Sequence, residues 1–117
     1  MADQGDCLFC RIVRGEIPAS IIYQDGGVTA FRDIAPQAPT HILVVPDRHI
    51  DGAAQVGLMD EQIVGQMLRA AAELARREGI EESGYRLIIN QGRDGGQTVP
   101  HLHVHLLGGR ALPTPLA

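Results

Sequence analysis

Between His101 and Leu106, histidine alternates with leucine or valine, one residue at a time, until Leu107, Gly108 and Gly109 close the run. A period of two is what a strand produces, because successive side chains leave a pleated backbone on opposite faces. Leu102, Val104 and Leu106 are thereby committed to a core, and His101, His103 and His105 to whatever lies on the other side. On a straight strand the three rings form a row with about 6.7 Å between neighbours and about 13 Å from end to end.

Such a strand needs partners. Residues 20–24 and 28–32 are β-branched runs flanking Asp25-Gly26-Gly27, and Asp-Gly supplies the positive φ values of a tight hairpin turn. Residues 41–46, His-Ile-Leu-Val-Val-Pro, form a third strand whose continuous apolar character implies cover on both faces. Between the second and third strands, Pro36 and Pro39 impose an irregular loop, since neither can donate to a ladder. Residues 85–90 form a fourth strand, and the histidine segment 101–107 the last.

From Asp60 onward, Ile63, Val64, Met67, Leu68, Ala71, Leu74 and Ala75 recur at helical spacing, with Glu61, Gln62, Gln66, Arg69, Glu73 and Arg76 largely opposite. Asp60 is positioned as N-cap and Gly79 as the residue after the C-cap. Gly65, inside this helix, is expected to mark a close contact. The segment 7–13 is a short helix or turn. Strands on both sides of one long helix predict an α+β domain with a mostly antiparallel five-stranded sheet. At 117 residues one domain spanning 1–117 is expected.

Composition removes several classes of function. The formal charge is −4 with both signs interspersed, so no basic stripe offers itself to nucleic acid. Phe9, Tyr23, Phe31 and Tyr85 are too dispersed for a base-stacking platform. No apolar run approaches the roughly 20 residues of a membrane helix, and residues 1–6 do not resemble a signal peptide. A cytoplasmic protein is expected. In a reducing compartment Cys7 and Cys10 point to metal binding or redox chemistry rather than a disulfide.

Two neighbouring histidines of the row can share a metal ion, but three on one straight strand cannot converge with Zn–N bonds of about 2.0–2.1 Å. The row better suits an extended anion such as a substituted phosphate. A neutral imidazole can attack phosphorus while neighbours stabilise charge, provided its other nitrogen is held as a donor. The glycine-rich loop 91–97 precedes the row, and the backbone N–H groups of Gly95, Gly96 and Gln97 are candidates to cradle an anion.

The segment His101-Leu102-His103-Val104-His105-Leu106-Leu107 resembles the histidine triad signature, His-φ-His-φ-His-φ-φ with φ apolar. Phe31 to His41, Pro46-Asp47-Arg48-His49-Ile50 and Gly95-Gly96-Gln97-Thr98-Val99-Pro100 resemble its Hint branch, the histidine triad nucleotide-binding proteins, in order and spacing over nearly the whole chain. The resemblance implies a homodimer with a ten-stranded sheet and a purine nucleotide site on each protomer. It implies hydrolysis of nucleoside phosphoramidates or related nucleotidyl conjugates, with His103 as nucleophile. His105 and His41 would assist, and His101 is counted with them.

By the same comparison Asp33 would bind the ribose hydroxyls. Phe9, Ile12, Ile17, Phe31 and Leu43 would line the base pocket, Asn90 and Thr98 would touch the phosphate or leaving group, and Ile34, Gly96 and Gln97 are counted with the nucleotide-binding residues. Cys7, Cys10, His49 and His101 resemble the structural zinc ligands of bacterial members; no catalytic metal is implied. Dinucleoside polyphosphate hydrolysis, as in the Fhit branch, and nucleotide binding without turnover are the alternatives. The chain departs from the pattern by lacking the C-terminal tryptophan of the animal proteins, and by carrying Pro100 where an aromatic often precedes the motif.

Overall fold

The computed structural model describes residues 7–114; the expectations for residues 1–6 and for the end of the tail, 115–117, lie outside them. Gly26 and Gly27 take φ values of 61° and 85°, a pair that glycine adopts without strain and that matches the twist of a two-residue hairpin. They join β1 (Ile21–Asp25) to β2 (Val28–Arg32), with Asp25 opposite Val28. The turn is thus the glycine pair alone, and Asp25 closes the strand. β3 (Thr40–Pro46), β4 (Tyr85–Ile88) and β5 (Val104–Gly108) complete an antiparallel sheet of order β1-β2-β3-β5-β4.

One sheet face carries Val28, Ala30, Ile42, Val44, Val104 and Leu106. Against it lies α2 (Glu61–Arg77), contributing Met67, Ala70, Ala71, Leu74 and Ala75. The opposite face carries Phe31, Leu43 and Val45, covered by α1 (Leu8–Val13) through Phe9 and Ile12. Every residue of β3 is buried, as its unbroken apolar run implies for a central strand covered on both sides.

Asp60 is the residue before α2, but its carboxylate caps no helix N–H. It accepts from the Gly57 N–H at 2.9 Å and pairs with Arg48. Gly79 ends the helix with φ 74°, the left-handed step that glycine makes most easily. The expected close contact at Gly65 is absent, since a Cβ built there meets nothing within 4 Å. Two short 3-10 turns, Ala53–Gln55 and Leu58–Asp60, lead into α2.

The last strand is shorter than its alternation predicts. Val104 pairs with Val44, so continuing the ladder would set Leu102 opposite Pro46, which has no N–H to give. The Leu102 N–H donates instead to the Ile50 carbonyl at 2.7 Å. The chain therefore leaves the sheet before Val104, and the straight row of three rings is broken between His101 and the other two. β4 likewise stops at Ile88, short of the expected residue 90.

Candidate active site

His101, fully buried, points away from the cavity described below. Its Nε2–H donates to the Pro46 carbonyl at 2.9 Å, which leaves Nδ1 as a lone pair 3.2 Å from Cys7 Sγ and 3.5 Å from Cys10 Sγ. His49 is arranged in the same way. Its Nε2–H donates to Asp51 Oδ1 at 2.6 Å, and its Nδ1 lies 3.2 Å from Cys10 Sγ. The four donor atoms all lie within 4.8 Å of one another. Zn–S and Zn–N bonds of about 2.3 and 2.0–2.1 Å set tetrahedral edges of about 3.5 Å, which the sulfur–nitrogen distances approach.

Two sulfurs and two imidazole lone pairs, each ring braced from behind, suit a borderline-soft divalent cation. Such a site is closed, with no position open for chemistry. Burial first, then the hydrogen bond and charge of Cys7, pushes the Cys10 thiol up to about 11. Burial, only partly offset by the Pro46 carbonyl, pushes His101 down to about 4. The histidine is thus already in the neutral form a metal needs, while a cation would have to draw the proton from the thiol.

His103 faces the other way. Its Nδ1–H donates to the His101 carbonyl at 2.7 Å, because a carbonyl oxygen can only accept. In the neutral ring Nε2 is then the unprotonated nitrogen. Among the described residues no fully buried polar side-chain atom lacks a partner, and Nε2 of His103 has none. It therefore opens onto solvent-accessible space, the cavity that His103 lines.

His105 is held by a second chain of donors. The Gln37 backbone N–H donates to His41 Nδ1 at 3.0 Å, which places the proton of neutral His41 on Nε2. That N–H faces His105 Nδ1 at 3.0 Å and Asp33 Oδ2 at 3.5 Å. If His105 Nδ1 accepts it, the remaining His105 nitrogen is a donor. Burial lowers His41, with Asp33 opposing, and burial together with His103 and His41 pushes His105 down to about 4. Both rings are neutral near pH 7.

Asp33, His41 and His105 also lie close enough to suggest a metal group. The ring centroids of the two histidines are 5.2 Å apart with the facing nitrogens at 3.0 Å, so the nitrogens lie near the line between the rings. Their lone pairs oppose each other instead of converging on a third point, which is the geometry of a hydrogen bond.

The cavity, of about 270 Å³, opens between α1, the strand ends and the segment that follows the glycine loop. Phe9, Ile12, Ile17, Phe31, Ile34, Leu43, Asp33, Thr98, His103 and His105 all line it, together with Leu8, Pro18, Ala19, Arg32 and Val99. Ile34 stands fully exposed at its lip. Asp33 Oδ1 accepts from the Ala35 N–H at 2.8 Å, which fixes the carboxylate at the rim.

Asn90, Gly96, Gln97, His41 and His101 are not among the lining residues. The Gly96 and Gln97 N–H groups are spent on the Arg93 and Gly92 carbonyls, so the expected anion cradle of Gly95, Gly96 and Gln97 loses two of its donors. Gln97 braces the loop instead. Its side-chain amide donates to the Asp51 and Val99 carbonyls and accepts from the Gly92 N–H. Asn90 Nδ2 donates to the Gly95 carbonyl.

Sequence reasoning missed the carbonyls of Pro46 and His101, the Gln37 N–H and the Asp51 carboxylate. Three of these are backbone groups that carry no residue-type signal. Asp51, two residues after His49, could have been noticed as a carboxylate near a candidate ligand.

Comparisons with known proteins identify the family and the fold. The HIT domain family model matches residues 14–112. A purine nucleoside phosphoramidase of Escherichia coli strain K12 is 54% identical over 112 residues, covering 96% of this chain and 94% of that one. A HIT family hydrolase from Legionella pneumophila superposes with a TM-score of 0.92 at 48% identity, covering 94% of this chain and 98% of the other. A histidine triad nucleotide-binding protein from Candida albicans gives a TM-score of 0.80 at 26% identity over 96% of this chain and 86% of its own. A family model matching residues 14–112, the stretch that holds both the thiol-cluster histidines and the histidines of the open cavity, makes this chain a member of the HIT domain family.

Proposed function

We propose that the protein hydrolyses purine nucleoside phosphoramidates and related nucleotidyl conjugates through a covalent intermediate on His103, releasing a nucleoside monophosphate. The observation that carries this reading is the His103 ring, tied at Nδ1 to a backbone carbonyl and open at Nε2 to an apolar cavity beside His105. An imidazole fixed in this tautomer presents its lone pair to an electrophile and is a ready nucleophile.

The base occupies the apolar cavity and the ribose diol meets Asp33, since a carboxylate accepts two hydrogen bonds from a diol. His103 Nε2 attacks phosphorus and the phosphorus–nitrogen bond breaks. The leaving nitrogen takes a proton from water and departs as the amine, while His41 holds the His105 ring so that its Nε2–H faces the phosphoryl group. Water then cleaves the phosphorus–imidazole bond, its hydroxyl going to phosphorus and its proton to the solvent, which regenerates neutral His103 and frees the nucleotide. His105 and Thr98 at the wall stabilise phosphoryl charge as it develops.

The test is incubation with adenosine 5′-phosphoramidate. The protein should release AMP, and acid quench should trap a nucleotidyl adduct on His103. His103→Ala should lower turnover by roughly 10⁴-fold or more, the scale of losing a nucleophile. Normal turnover in that variant would refute the assignment.

The proposal includes a zinc ion held by Cys7, Cys10, His49 and His101, supported by the donor set and its bracing, with metal content of the purified protein as its measurement. It also includes a homodimer. β4 is an open sheet edge, and Tyr85, Leu87 and Ile89 along it are 36%, 38% and 43% exposed, an apolar strip that a second sheet edge would cover.

A further inference from the structure

His101 belongs to two systems at once. Its ring is fixed at both nitrogens, by Pro46 on one side and the two sulfurs on the other, and its carbonyl is the acceptor that fixes the tautomer of His103. Turning the peptide after His101 therefore disturbs both. A second line of contact runs through Phe9. Cys7 is the N-cap of α1 and its sulfur accepts from the Cys10 N–H, so the cysteines set where this short helix begins. Phe9, between them, meets the His103 ring edge-on at 5.1 Å between centroids.

A third line leaves through His49, whose Nε2–H donates to the Asp51 carboxylate. The Asp51 carbonyl accepts from Gln97, the residue before Thr98 in the cavity wall. Backbone, helix and loop thus all connect the Cys7–Cys10–His49–His101 cluster to the face where His103 Nε2 opens.

We infer that this cluster, loaded with a divalent cation of the zinc class, is a positioning element for the nucleophile: it immobilises His101 so that the His101 carbonyl keeps the proton of His103 on Nδ1. The inference rests on the reading of His103 as nucleophile. None of the cluster's four side chains lines the cavity, so they act through other groups. Without a cation, only weak sulfur–nitrogen hydrogen bonds draw the four donors together. The His101 ring then keeps only the Pro46 carbonyl as a strong anchor, and its peptide only the bond from the Leu102 N–H to the Ile50 carbonyl. A shift of His101 carries its carbonyl away from His103 Nδ1, and a His103 ring whose proton moves to Nε2 presents no lone pair to phosphorus.

The test compares the full-length protein loaded with Zn²⁺ and the same protein stripped by a chelator, both ¹⁵N-labelled at histidine. In the loaded protein the ring nitrogens of His103 should give the pattern of a pure Nδ1–H tautomer. Stripping should convert it to a mixture and lower kcat by at least about tenfold, as loss of a bracing shell does, with nucleotide affinity changing less than kcat. Returning Zn²⁺ should restore both.

An unchanged His103 ring pattern in stripped, folded protein overturns the inference, as does a protein that takes up no zinc. Should chelation unfold the chain, Cys10→Ser removes one thiolate with little change of size, and the same spectrum decides. If loaded protein fails to turn over any phosphoramidate, the reaction assignment falls, while the ring pattern still judges the positioning role.

Discussion

The three histidines of the C-terminal row share one side chain and sit in three situations. His101 has both nitrogens occupied in a buried thiol cluster, His103 has one tied and one open, and His105 accepts from His41 and faces the cavity. His105 also links stability to pH. Its folded-state pKa, about 4, lies below the ordinary value of 6.5, so the unfolded chain takes up a proton first as pH falls. The stability from keeping this ring neutral is present above about pH 6.5 and is lost as pH falls toward 4. The urea midpoint should drop between pH 7 and pH 5, and His105→Asn should make that drop smaller, with buried His101 supplying the remainder. Asp33 makes a separate prediction. Against adenosine phosphoramidate, the 2′-deoxy analogue should lose roughly 10- to 150-fold in kcat/KM, the scale of a hydrogen bond to a charged group at about 1.5–3 kcal/mol. Asp33→Ala should erase most of that discrimination in a competition assay.

The elements follow sequence patterns closely where the pattern repeats. β2 matches its expected limits, Val28 to Arg32, and α2 ends at the expected glycine, because a hairpin turn and an amphipathic stripe are local signals. The pattern misleads at the last strand, where the alternation continues through His101 and His103 but the ladder stops opposite Pro46, a residue more than fifty positions away. The turns at Ala53–Gln55 and Leu58–Asp60 had no periodicity to give them away. Within α2, Gly65→Ala should raise stability by about 1 kcal/mol, since the helix gains propensity and the new Cβ meets nothing. Met67→Ala, at a fully buried position against the sheet, should cost about 2–5 kcal/mol. Denaturant titration of the two variants separates a surface glycine from a core contact.

At the scale of the whole molecule, the sheet keeps two chemistries apart on one short segment. The ladder carries His105 into the open cavity, the break before Val104 turns His101 toward α1 and the loop after β3, and His103 sits at the join. The open β4 edge extends the argument beyond one chain. Leu87→Lys should halve the mass seen by light scattering if two such edges pair, and a wild-type mass already equal to one chain would refute the dimer. The sequence by itself determined the first hairpin, the long helix with its apolar face, the alternating histidine pattern and the candidate ligands, because each is written in local spacing or residue type. It could not assign the three histidines their separate tasks. Those depend on which backbone carbonyl or sulfur meets each ring nitrogen, and such contacts join residues as distant as Cys7 and His101, which come together only once the sheet has closed over α1.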